Sequence, residues 1–159
     1  MTCKKLLSYL DEQHVRYVTI KHSIAYTAQE IAQTVHVSGN DFAKVVMIKA
    51  DDEMIMTVLP APDKVDLGKL RLALGAARVI FADENEFQDH FPGCEIGAMP
   101  PFGNLYGIRV ILATTFINTT TISFISGDHT EIIQMDYSQY LNLVRPEMLD
   151  FTQHIRLAA

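Results

Sequence analysis

Lys44 opens a strongly apolar run, AKVVMIKA, directly after the polar loop SGNDF. A lysine between Ala43 and Val45 either turns to solvent from an edge strand or brings its ammonium to the wall of a cleft. The second placement desolvates a charge, and it makes sense only opposite a phosphate, carbonyl or carboxylate. Lys49, beside the turn ADDE, fits the solvent-facing reading better. A second candidate is GCEIGAMPPFGNLYG, residues 93–107, which carries Gly93, Gly97, Gly103 and Gly107. Glycine permits positive φ and close backbone approach. Pro100 and Pro101 stiffen the loop and remove two donors. Such a stretch is either a tight corner or a wall whose N–H groups face a ligand. In the second case those amides can stabilise the oxygen of a tetrahedral intermediate.

The third candidate is SGDHTE, with Gly127, Asp128 and His129. It reads as a hairpin turn, and alternatively as a group facing the same cleft as the glycine loop. His22 and Tyr26 flank the start of a helix and would line a pocket mouth; for His22 a half-buried, hydrogen-bonded ring is the plainer reading. Cys94 lies inside the glycine loop, where a nucleophilic thiol is conceivable, yet no family signature surrounds it. With Cys3 it makes only two cysteines and no CxxC, which points to free thiols. The histidines at 14, 22, 36, 90, 129 and 154 show no HxxxH or HxH spacing, so neither a metal nor another cofactor is expected. No Ser/His/Asp arrangement can be read from order alone, and no Walker loop or helix-opening GxGxxG is present. An enzyme built this way would position water and substrate and do little covalent chemistry.

The elements that must hold these groups are legible as short runs. Residues 2–13 form an amphipathic helix with Leu6, Leu7 and Leu10 on one face, and VRYVTIKH alternates as a strand. Thr27 and Glu30 have capping-box spacing, so a helix starts there and ends before SGND. AKVVMIKA and EMIMTVLPA are two strands split by DDE, a hairpin. DLGKLRLALGA is a helix closed by Gly75, ARVIFA a strand, and DENEFQDHFPG a third helix. IRVILATTFI, TISFISG and TEIIQMD are strands, and DYSQYLNLVRP is a helix stopped before Pro146. Strands outnumber helices and mix hairpins with crossovers, giving one mixed α/β (α+β) domain over residues 1–159. With 159 residues and 48% apolar composition, a full core needs no staples. No run approaches the roughly 18 apolar residues of a membrane span, and the N-terminus does not read as a signal peptide, so a cytoplasmic setting is expected. A net charge of −6 argues against gripping DNA or RNA along its backbone, though not against holding one RNA end. The threonine-rich TTFINTTTISF has no evident role at this level.

Taken in order, SGNDFAK, VVMIK, DLGKLRLALGAARVIFADENEF, GCEIGAMPPFG and SGDHTEI resemble the YbaK/prolyl-tRNA synthetase-associated domain family over roughly residues 20–145. Members are freestanding aminoacyl-tRNA deacylases that edit in trans. The resemblance implies a mixed, partly barrel-like sheet flanked by helices, with a pocket for aminoacyl-adenosine. It places Lys44 at the terminal phosphate or ester. It implies that Gly97 to Gly103, including Pro100 and Phe102, contact the aminoacyl group and ester. It sets Gly127, Asp128 and His129 near the amino-acid pocket. The implied partners are the acceptor end of a mischarged tRNA and, in addition, an aminoacyl-tRNA synthetase. Two departures bear on substrate. Val45 stands where the alanine-editing branch would carry asparagine, and Met99-Pro100-Pro101-Phe102 replaces a smaller, glycine- or serine-rich version. The alternative to a deacylase is a catalytically silent relative that binds a small ligand, a tRNA end or a protein partner.

Overall fold

The computed structural model describes residues 4–23, 25 and 27–154, with His154 described in its backbone alone. Tyr26 and Cys3 lie outside the described residues. The first helix, α1 (Lys4–Glu12), buries Leu6 and Leu10, spaced one turn apart on its inner stripe. Strand β1 (Tyr17–Lys21) leads into α2 (Ala28–Thr34), where Thr27 accepts the Glu30 amide at 3.1 Å. Only this hydroxyl half of the expected box forms at Thr27. The reciprocal box closes instead at Asp83 and Glu86, ahead of α4 (Glu84–Phe87).

Strands β2 (Ala43–Ala50) and β3 (Glu53–Pro60) form the expected antiparallel hairpin, in register from Ala43↔Pro60 to Ala50↔Glu53. Asp51 sits at the turn with φ +53°. Its carboxylate accepts the Ala77 and Arg78 amides at 3.1 and 3.0 Å, which anchors the entry to β5 (Val79–Phe81). Strand β6 (Arg109–Ala113) and β9 (Glu147–Leu149) add in parallel, giving a five-stranded sheet in the order β5-β2-β3-β6-β9. A three-stranded antiparallel sheet, β1-β8-β7, uses β7 (Thr121–Ile125) and β8 (Glu131–Asp136). A short pair joins β4 (Asp63–Val65) to β10 (Thr152–His154). These sheets do not close into a barrel; a single parallel bridge, Phe42↔Ser123, joins the end of β2 to β7. Helices α3 (Leu67–Leu74) and α5 (Tyr137–Val144) complete the mixed α/β fold.

Two expected elements change length. The helix expected over 83–93 is a single turn of α4 followed by a 3-10 turn, Gln88–His90. Pro92 excludes the helical region for its predecessor, and Phe91 sits at φ −123°, ψ 65°. The strand expected over 108–117 stops at Ala113. The threonine-rich segment beyond it is a tether: Thr115 donates to Asp63 and Thr119 to Asp41, both at 2.8 Å. Strands β4, β9 and β10 are each too short to show alternation in the sequence. The main core gathers Phe102, Phe124 and Tyr140, whose rings lie 5.3 to 6.5 Å apart, centroid to centroid. Among the described residues no helix is long and apolar enough to cross a membrane.

Candidate functional site

A cleft of about 340 Å³ opens where the first turn of α2, the start of β2, the end of β7 and the glycine loop converge. Thr27, Ala28 and Gln29 form one side; Ala43, Lys44, Val45 and Ala61 another; Gly97 and Met99 face them, with Phe124 and Ile125 beneath. Lys44 follows the buried Ala43 at the start of β2 and borders the opening together with Ala43 and Val45. Lys44 is half-buried and, among the described residues, makes no hydrogen bond or ion pair. Burial pushes its ammonium below the ordinary lysine value. The Asp63 carboxylate opposes that shift, and the Lys64 ammonium adds to it. The cleft therefore holds a cation that no described residue neutralises by contact.

The facing loop is held by hydrogen bonds from both sides. The Glu95 amide donates to the Gly127 carbonyl at 2.8 Å, and the Ala98 amide donates to Glu95 at 3.0 Å. Gly97 adopts φ +81°, a conformation that favours glycine. Among the described residues the amides of Gly97 and Met99 have no acceptor, although Met99 is buried. On the other side of the loop, Tyr140, fully buried, donates its hydroxyl to the Pro101 carbonyl at 2.8 Å.

The structure sorts the sequence-derived candidates. Lys44 and Gly97 line the cleft. Gly103 does not line it: a Cβ there would lie 2.9 Å from Val110 Cγ2 and 3.0 Å from the Ile108 carbonyl, so its lack of a side chain serves packing. Phe102 is buried among Tyr9, Phe124 and Tyr140, and Pro100 is buried beside it, so neither side chain reaches the opening. Asp128 closes the β7–β8 turn: its Oδ1 accepts the Thr130 amide at 2.7 Å and the Thr130 hydroxyl at 2.6 Å. Gly127, at φ +103°, shapes the same turn. His129 is buried, with Nε2 3.0 Å from the Ile96 carbonyl and Cε1 beside Gly97, which makes it a brace behind the loop. His22 is half-buried; Nδ1 lies 2.7 Å from the Ser23 carbonyl, and Nε2 is buried with no partner among the described residues. Cys94 lies outside the cleft, its Sγ 3.6 Å from the Tyr106 hydroxyl. Sequence reading missed Ala61 and Ile125 on the cleft wall, because apolar residues in apolar runs carry no mark of the cavity they border, and it missed Tyr140, which holds the loop from behind. Among the described residues no group of three His, Cys, Asp or Glu could hold a metal ion.

The sequence profile of the aminoacyl-tRNA editing domain matches residues 22–143. The prolyl-tRNA editing protein ProX of Acetoanaerobium sticklandii is 21% identical over 147 residues, covering 88% of each chain. A proline--tRNA ligase of Lactococcus lactis subsp. cremoris is 31% identical over 87 residues, 55% of this chain but 14% of that ligase. Among solved structures, a candidate trans-editing enzyme for prolyl tRNA synthetase superposes with a TM-score of 0.80 at 19% identity, over 95% of this chain and 96% of that one. A match over residues 22–143, which take in the cleft and the glycine loop, leaves one assignment: the chain belongs to the aminoacyl-tRNA editing domain family.

Proposed function

We propose that this protein is one editing domain that hydrolyses, in trans, the ester of a mischarged tRNA, with the aminoacylated 3′ adenosine seated in the Lys44 cleft. One observation carries the reading: a half-buried lysine with no partner among the described residues faces a loop whose Gly97 and Met99 amides are likewise unclaimed among them. Water adds to the ester carbonyl, and the negative oxygen of the tetrahedral intermediate accepts hydrogen bonds from the loop amides. The carbon–oxygen bond to the ribose then breaks, releasing the amino acid and restoring the 3′ hydroxyl. The ester is already activated, so holding water and carbonyl in line with a fixed oxyanion site is sufficient catalysis. Lys44 would place its ammonium against the terminal phosphate or ester, which supplies the anionic partner that the fold withholds.

The names of the relatives point the substrate toward tRNA(Pro) and the partner toward prolyl-tRNA synthetase. Ala28, Ala43 and Ala61, with the larger Val45 and Met99, give the cleft apolar, uncharged wall segments, which suit a small uncharged aminoacyl group. One methylene in such a pocket is worth only about 1–3 kcal/mol, the margin that makes separate editing necessary. The test is deacylation of tRNA(Pro) charged with alanine, cysteine, serine, threonine or proline. Turnover of one mischarged species with prolyl-tRNA(Pro) spared is the expected result. No turnover across the panel would leave a binding module in its place.

A further inference from the structure

We propose that β1 is a self-complementary edge through which two copies of this chain join, their β1 strands pairing antiparallel about a two-fold axis at Thr19. The three-stranded sheet runs β1-β8-β7, so β1 has β8 on one side and, among the described residues, no strand on the other. The phase of the ladder fixes which groups face outward. The His22 amide donates to the Thr130 carbonyl at 2.8 Å, in a register where Tyr17 stands opposite Met135. Bonded and non-bonded pairs alternate along an antiparallel ladder. Val18 and Ile20 therefore bond to β8, and the amides and carbonyls of Tyr17, Thr19 and Lys21 point away from it. On the other side of β8 the Ser126 amide donates to the Glu131 carbonyl, the phase that this alternation requires. Val18, Thr19 and Lys21 are exposed, and neither a proline nor a bulge interrupts the strand. An edge left open in this way is a template for another strand.

A second β1 completes this edge in one register. With Thr19 opposite Thr19 of the second copy, Tyr17 stands opposite Lys21, and every outward-facing residue of each strand is paired. Shifting the two-fold axis to Val18 or Ile20 leaves one of them without a strand residue opposite. The side chains agree with this register on both faces of the sheet. On one face Val18, 57% exposed, lies beside Ile20 of the second copy, and the pair takes apolar surface out of water. On the other face, directly opposed Cβ atoms lie about 5 Å apart, so the Lys21 side chain extends alongside the Tyr17 ring of the second copy. The Tyr17 hydroxyl donates to Asp11 at 2.9 Å, which sets a carboxylate where that ammonium ends. Lys21 and Asp11 are both exposed, and among the described residues neither makes an ion pair. The two-fold axis repeats the Lys21–Asp11 contact, so the interface carries two pairs of opposite charge. The Lys44 cleft borders β7, on the far side of β8, and stays open in the joined sheet. A five-residue edge is small beside the roughly 1,200–2,000 Å² of a stable interface, so the dimer is a weak one.

The test is sedimentation equilibrium of the full chain from micromolar to millimolar protein, with backbone amide hydrogen exchange measured at both ends of that range. The wild type should pass from monomer to dimer as concentration rises. Exchange at the Thr19 and Lys21 amides should slow over the same range, while the Val18 and Ile20 amides, bonded to β8 in either state, should not change. Lys21→Glu should raise the dimer Kd about tenfold or more, because it sets like charges together twice. Adding Asp11→Lys to that variant should bring the Kd back to within about threefold of the wild type. A wild type that stays monomeric throughout would overturn the proposal and leave the edge to a strand of another protein or to solvent. A dimer whose Thr19 and Lys21 amides exchange as fast as in the monomer would place the contact on another face and overturn it equally. So would a Lys21→Glu dimer as tight as the wild type, or a folded double variant as weak as Lys21→Glu alone.

Discussion

Lys44 and Lys49 lie on the same strand, β2, yet the two ends of that strand treat a lysine in opposite ways. At the hairpin end, Lys49 is tied to Glu86 by a 2.6 Å ion pair on the surface. That hydrogen bond, backed by the Glu86 charge, raises its pKa. At the cleft end, Lys44 is half-buried and unpaired among the described residues, and desolvation lowers its pKa. The contrast shows that the fold can neutralise a lysine with a carboxylate and does not do so by contact in the cleft. An exposed pair of the Lys49 kind contributes little to stability. An unneutralised, partly desolvated ammonium costs stability, and that cost is understandable where an anionic ligand completes the site.

The comparison is broken most strongly from the loop that faces Lys44. Gly103→Val forces a side chain against Val110 and the Ile108 carbonyl, so it should destabilise the fold by roughly 1–3 kcal/mol or more. A denaturant melt reads this directly, with deacylation falling through loss of folded protein. Tyr140→Phe leaves the Pro101 carbonyl without its buried donor and should cost about 1–3 kcal/mol. Because the loop loses its rear anchor, kcat should drop further than the folded fraction. Gly97→Ala leaves room for the new methyl, 3.7 Å from His129, and strains a φ of +81°. It should cost about 1 kcal/mol in stability, with a drop in kcat as the adjoining amides shift.

Smaller effects follow from pH and salt. Lys44 has a folded-state pKa below its unfolded value of 10.5. At pH below the folded pKa both states hold the proton and the burial cost is fully present. Between the two values the unfolded state binds more protons, so this cost fades as pH rises. The stability gap between wild type and Lys44→Met, with the variant more stable, should therefore narrow from pH 7 to pH 10. Lys49 has the opposite sign: its contribution is present below 10.5 and is lost as pH climbs through the raised folded pKa. Lys49→Ala should change the melting temperature least of all, and the change should shrink further in high salt.

What the sequence disclosed divides along the same line. Lys44 and the glycine loop were legible because a lysine in an apolar strand and glycines beside paired prolines are rare enough to stand out. The hairpin, α3 with its Gly75 end and the β7–β8 turn were legible because they depend on neighbours in the chain. Much of the cleft's apolar wall was not, since Ala61 and Ile125 look like any other core residues. Nor was the division of labour within the loop. Gly97 and Gly103 read alike as letters, yet one faces the opening and the other is pinned against Val110 and Met56. Asp128 and His129 seemed fit for substrate contact, and only tertiary structure shows them closing a turn and bracing Ile96.

The most direct test of the account is Lys44→Met, measured in parallel for single-turnover deacylation of the mischarged tRNA that the wild type cleaves and for melting temperature at pH 7. Loss of about 100-fold or more in rate, with a melting temperature equal to or above that of the wild type, is the predicted result. A variant that keeps the wild-type rate would show that the cleft at Lys44 is not where the ester is cut.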